Sequence, residues 1–195
     1  MLPCTMVSVL KKRLLVALLV IAILLSSLIV WNQRYELFYP LVHEVPYYQQ
    51  ETDYYCGEAC IQMILAFYGT FPPKQAELAK EASFSGTETP CSGMLKPFQN
   101  RRFHVLVTTN TNFTDAYPSL VAIVTSRPVI VLITWKDQVG HYIVVFQFNQ
   151  TGLFYHDPYY GSKRFRASES FKLLWLDYCL ARPGQPTCWA LIVAR

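Results

Sequence analysis

The chain opens with an apolar run that has no polar face. Leu14 to Gln33 carry no charge, and Leu14 to Trp31 are almost wholly aliphatic. At roughly 1.5 Å per residue, about 20 such residues span a bilayer core. Lys11, Lys12 and Arg13 precede the run, Arg34 follows it, and Trp31 falls where an interfacial aromatic belongs. The pattern predicts a transmembrane signal-anchor over 14–33. Residues 1–13 then form a cytoplasmic tail, and 34–195 a domain outside the cell or in a lumen. The competing expectation is a cleaved signal peptide and a secreted domain. The run exceeds a usual 7–15 residue apolar segment, and no small-x-small cleavage site follows it.

Beyond residue 44 the periodicity becomes that of a globular domain. Val45-Pro46-Tyr47-Tyr48 predicts an extended lead-in. In Cys56 to Tyr68, two adjacent apolar stripes predict a central helix, with Gly69 as its C′ residue and Pro72-Pro73 blocking continuation. Pro73 can open a second helix to about Ala82. Ser83 to Pro90 reads as a loop, Met94 to Asn100 as a short helix, and Phe103 to Thr108 as a strand. Ala116 to Ser126 predicts a helix with Leu120, Ile123 and Val124 inward. The pattern then turns to strands over 128–135, 141–148 and 152–156. The second and third are joined by the tight Asn149-Gln150-Thr151-Gly152 turn, and Asp157 to Gly161 ends the hairpin. Ser168 predicts a helix cap, and Cys188 to Val193 a last strand. Helices first and an antiparallel sheet afterwards give an α+β fold.

Charge narrows the partners. Net charge is +4, but Lys11, Lys12 and Arg13 belong to the tail, leaving 14 basic against 13 acidic residues. A near-neutral domain with no basic stripe excludes nucleic acid as the expected partner. Oligomeric state is not legible.

The candidate chemistry centres on Gln50-Glu51-Thr52-Asp53-Tyr54-Tyr55-Cys56. Cys56 stands at the start of the central helix, where unpaired N–H groups and the dipole suit an anionic sulfur. Gln50, six residues upstream, has a side-chain N–H to offer an oxyanion. Of the four histidines, His141 begins one strand of the predicted hairpin, and Asp157 ends the facing strand. That gives an imidazole with a thiol on one side and a carboxylate on the other. With Cys56 as a free nucleophile, four of the five cysteines beyond the membrane remain. Cys179 and Cys188 flank a turn-rich loop and form the expected disulfide; Cys60 with Cys91 is the remaining pairing. The alternative for Cys60 is a small buried hydrophobe. Asn112 and Asn149 begin glycosylation sequons. Zinc is not expected, because Cys56-x-x-x-Cys60 lacks a second ligand pair.

The segment from Cys56-Gly57-Glu58-Ala59-Cys60 to Phe67-Tyr68-Gly69, with Gln50 ahead of it, resembles the bacteriocin-processing peptidases. These are papain-like domains that cut double-glycine leaders. Arg127-Pro128-Val129, Gly140-His141-Tyr142 and Tyr155-His156-Asp157-Pro158 follow in the family's order, so the resemblance covers about 45–161. It implies a papain-like fold and a peptide or protein substrate. It further implies Cys56 as nucleophile, His141 as general base and then acid, Asp157 as orienter and Gln50 as oxyanion donor, with no cofactor. Exporter peptidases act in the cytoplasm, whereas this domain is expected across the membrane. The other reading is an inactive peptide-binding module of the same fold.

Overall fold

The computed structural model describes residues 16–27, 44–109, 113–135, 139–180 and 188–195, the side chains of 113, 114 and 176–180 excepted. The chain divides into two units, Met1–Pro40 and Leu41–Arg195. In the first, the described part of the predicted span is helix α1, 16–27. Among the described residues no helix is long and apolar enough to cross a membrane. The rest of the 14–33 segment, the 1–13 tail and Cys4 lie outside the described residues.

The second unit is an α+β domain. In chain order it contains α2 (Cys56–Phe67), α3 (Gln75–Glu81), a 3-10 turn (Gly93–Leu95), α4 (Lys96–Gln99), β1 (His104–Thr108), α5 (Phe113–Val124), β2 (Val129–Thr134), β3 (Gly140–Phe148), β4 (Gly152–Asp157), β5 (Gly161–Ala167), α6 (Ser168–Leu180) and β6 (Ala190–Ala194). Among the described residues the strands form one sheet in the order β1-β6-β2-β3-β4-β5. Every neighbouring pair is antiparallel.

Both faces of this sheet are covered, which explains why β2 is buried at every position and reads as a continuous apolar run. Ile130, Leu132, Tyr142 and Val144 pack on one face with Ile61, Ile64 and Leu65 of α2. Val129, Val131, Ile143 and Val145 pack on the other with Leu120 of α5 and Phe171 and Trp175 of α6. Helix α2 is thus a central helix, buried from Gly57 to Leu65. It stops where the sequence says it should. Gly69 takes φ +69°, its N–H donates to Ala66 O at 2.9 Å, and the Thr70 N–H donates to Leu65 O at 3.0 Å. These two bonds make a Schellman motif, which needs a residue free to adopt the left-handed region at C′.

One strand was not anticipated. β5 continues the expected hairpin into a third antiparallel strand on β4. Its sequence, Gly161-Ser162-Lys163-Arg164-Phe165-Arg166-Ala167, is mostly polar because it is an edge strand with four consecutive exposed residues. Charged side chains there discourage pairing with another chain and hide the strand from a hydrophobicity pattern.

The lead-in is fixed by buried polar groups. His156, 2 % exposed, donates from Nε2 to Val45 O at 2.8 Å and accepts the Lys163 N–H at Nδ1, 3.1 Å. Both ring nitrogens are used by the neutral form. Burial pushes the imidazole below its ordinary 6.5. A base depressed in the folded state binds fewer protons there than in the unfolded chain. Its contribution is therefore present above about pH 6.5 and is lost as pH falls through the folded value. Thermal melting against pH is expected to show this acid-side loss, and His156→Gln to flatten it; an identical slope in the variant would refute the assignment.

Candidate active site

Helix α2 begins at Cys56 itself. Its N-cap, Tyr55, makes no side-chain capping bond, so the first-turn donors are not filled by a side chain from the cap. Gly57 is the only residue type that lets this end approach its surroundings. A Cβ there would lie 2.8 Å from Met94 Sδ, 3.3 Å from Thr89 Cβ and 3.4 Å from Tyr142 Cδ2. Glu58, fully buried, accepts a hydrogen bond from Thr89 Oγ1 at 2.5 Å. Burial pushes this carboxyl up, against the Thr89 hydroxyl and its own backbone N–H, which pull it down. The bond ties the 83–92 loop to the start of α2.

His141 enters from β3. Its Nε2 lies 2.9 Å from Asp157 Oδ1, and His141 lines the same cleft as Cys56, which also acts on its charge. With Nε2 on the carboxylate, Nδ1 is the nitrogen left for the sulfur. Burial drives the imidazole down, but its interactions with Asp157 and Cys56 outweigh it and push His141 up to about 9. Asp157 is held below its usual range: burial raises it, while His141 and the N–H groups of Tyr160 and Tyr159 lower it by more. Those N–H groups donate to the same Oδ1 at 3.0 and 2.9 Å. The carboxylate is therefore fixed from behind before it meets the imidazole.

Register explains the meeting. Ile133 of β2 pairs with His141, Val144 of β3 pairs with His156, and the β3–β4 ladder shifts between Val145 and Gln147. The start of β3 and the end of β4 then lie together above the start of α2. Two partners escaped the sequence reading. The Trp135 ring stacks on His141 at 5.1 Å and 24°, shielding the imidazole from one side. The Tyr47 hydroxyl donates to Asp157 O and Pro158 O at 3.2 and 3.3 Å. Trp135 was legible as an aromatic two residues beyond the partner of His141; Tyr47 carried no signal.

Gln50 lies beside the same turn, its N–H donating to Pro158 O at 3.1 Å. Both neighbours are held by Gln75, which donates from Nε2 to Gln49 O at 2.8 Å and accepts the Glu51 N–H at 2.8 Å. The Gln50 side chain donates to Thr52 O at 2.7 Å, and its Oε1 is buried without a partner among the described residues. In this conformation its amide serves the 50–52 loop. A cleft of about 330 Å³ opens at Cys56, bounded by Asp53, Tyr54, Glu88, Trp135 and His141.

The remaining cysteine and asparagine expectations fare differently. The Cys60–Cys91 disulfide does not form. Cys60 is a free thiol, fully enclosed in the α2 core, and burial together with Cys56, Asp157 and Glu58 keeps it protonated. Cys91 instead accepts a hydrogen bond from the Tyr142 hydroxyl at 3.4 Å. The Cys179–Cys188 pairing involves a side chain outside those described, as does Asn112. Asn149 sits in the β3–β4 turn, where its Oδ1 accepts the N–H groups of Thr151 and Gly152 and the Thr151 hydroxyl.

Residues 42–178 match the model of the Peptidase_C39 like family. Among solved structures, the chain is similar to the peptidase domain of Streptococcus ComA, a bi-functional ABC transporter involved in a quorum sensing pathway. That match has 20% identity and a TM-score of 0.61, covering 77% of this chain and 98% of that one. It is also similar to a double glycine motif protease from an AMS/PCAT transporter in complex with its leader peptide, at 19% identity and a TM-score of 0.59, covering 80% and 97%. A C39-like peptidase from Bacillus anthracis matches at 14% identity and a TM-score of 0.58, covering 80% and 98%. No curated protein matches the chain.

Proposed function

Because this chain belongs to the Peptidase_C39-like family, we propose that it is a papain-like cysteine peptidase that hydrolyses peptide bonds through Cys56, His141 and Asp157. The observation that carries this reading is Cys56 and His141 facing one cleft, with His141 hydrogen-bonded behind to Asp157. His141 holds the proton of the Cys56 thiol, and the sulfur attacks the scissile carbonyl carbon. The oxyanion is received by the first-turn N–H groups of α2 and by the Gln50 amide, once that amide turns from Thr52 O. His141 gives its proton to the departing amine as the C–N bond breaks, leaving a thioester on Cys56. Water then adds to the thioester while His141 takes its proton, and the C–S bond breaks to release the carboxylic acid.

Iodoacetamide labelling of the full chain at neutral pH, followed by peptide mapping, tests the site. Cys56 is expected to alkylate far faster than Cys60, and His141→Ala to slow Cys56 sharply. Equal labelling of Cys56 with and without His141 would sink the reading. The second reading, a binding module, is favoured by the Gln50 amide being turned onto its own loop; it requires peptide binding without turnover.

The substrate in this proposal is a peptide, as the leader peptide is for the related AMS/PCAT protease. Residues 14–33 serve as a membrane anchor that leaves the domain outside the cell or in a lumen, on the strength of their uncharged run and the basic residues before it. Carbonate extraction of membranes checks this: an anchored chain stays with the pellet, and release into the wash would refute it.

A further inference from the structure

A second cavity, of about 450 Å³, shares Trp135 with the cleft. Its walls include Thr134, Tyr155 and Asp157, and its outer side is formed by Arg164 and Arg166 of β5. The two arginines alternate along the strand and so project from one face. They sit opposite Tyr155 and Leu153, both members of the core beneath α5 and α6.

Among the described residues no carboxylate forms an ion pair with Arg164 or Arg166. Asp157 shares the cavity but commits Oδ1 to His141 and to two backbone N–H groups. Arg164 donates to Tyr160 O at 3.1 Å and lies over the Tyr160 ring at 5.5 Å. Arg166 is half-buried, and its Nε is enclosed without an acceptor among the described residues. The Thr134 hydroxyl, on a residue 6 % exposed, likewise has no partner. Edge-strand protection accounts for Lys163, which reaches outward to an exposed Glu44. It does not account for a guanidinium drawn into a cavity with donors unused, a costly arrangement unless an anion completes it.

We propose that this cavity is an oxyanion-binding pocket, which takes a carboxylate or phosphate group on the Arg164–Arg166 pair. Two forked guanidiniums against an aromatic wall suit such a group better than a point cation would. The anion has two sources. One is an acidic side chain of a peptide whose backbone crosses the neighbouring cleft, and this source rests on the peptidase reading. The other is a free small anion, which does not.

Calorimetric titration of the full-length Cys56→Ser chain, which binds without turnover, separates them. The probes are inorganic phosphate and a pair of pentapeptides differing only in a central glutamate or glutamine. If a peptide supplies the anion, the glutamate peptide binds about tenfold or more tightly than its twin, and Arg166→Gln removes the difference. If the anion is free, phosphate binds, Arg166→Gln weakens it by about tenfold or more, and the two peptides behave alike. Arg164→Gln, at an exposed position, repeats both measurements where folding is not in question. Phosphate and peptide affinities that are indifferent to both arginines would overturn the pocket. Because binding is read in a chain without the nucleophile, that failure is distinct from a failure to hydrolyse.

Discussion

Replacing Cys56 with alanine is expected to abolish peptide hydrolysis, lowering kcat/KM by at least about 10⁴-fold, the lower end of the losses measured for single members of a catalytic triad. Among the described residues no other thiol is placed to substitute. Cys60, one turn on, is fully enclosed and held protonated, and Cys91 is the acceptor for Tyr142. Folding should be little changed, because Cys56 is only partly buried while the neighbouring Gly57 to Leu65 carry the packing of α2. Mass-spectrometric detection of cleaved peptides is the measurement. Turnover that survives the substitution would remove Cys56 from the mechanism, whereas equal peptide affinity with no turnover in either form would favour the binding module.

The second large effect is expected from Asp157→Ala. Loss of the carboxylate should cost between about 10² and 10⁴ in rate, the range for positioned acid–base catalysis. It should also change the shape of the pH profile. His141 stands at about 9 because its interactions with Asp157 and Cys56 outweigh burial. Without the carboxylate burial has less to oppose it, so His141 loses its proton at lower pH. The alkaline limb of the rate profile, expected near pH 9 in the native chain, then moves toward neutrality. Stability follows the same sign: the raised imidazole contributes fully below about pH 6.5, and the contribution is lost as pH rises through about 9. An alkaline limb unmoved by the substitution would remove Asp157 from its role.

The sequence was most legible where local rules act alone. The start of α2 at Cys56 and its stop at Gly69 follow from a polar-to-apolar switch and a left-handed C′ position, and both stand. The His141–Asp157 meeting was also readable, because a tight hairpin fixes register between strands close in sequence. Legibility ended where long-range partners decide. β5 reads as polar because an edge strand is wet. Its arginines, which line a cavity, look in sequence like any charged surface. The Cys60–Cys91 expectation failed because a count of cysteines says nothing of direction; Cys60 points into the core of α2, where a thiol packs like a small apolar group. The Gln50 amide shows that a residue can stand at the expected place while a nearer acceptor, Thr52 O, holds its side chain.

The position of β6 governs when the sheet closes. Ala190–Ala194, the last strand in the chain, lies between β1 and β2. The Tyr68 hydroxyl at the end of α2 donates to Val193 O at 2.6 Å. A nascent chain on the ribosome can form α2 and the β3–β4 hairpin early, since their contacts are local. Until 190–194 emerge, β1 lacks its partner β6 and β2 keeps that edge open. The sheet that carries His141 and Asp157 is thus closed by a pairing between distant parts of the chain, which ties its folding rate to long-range contacts.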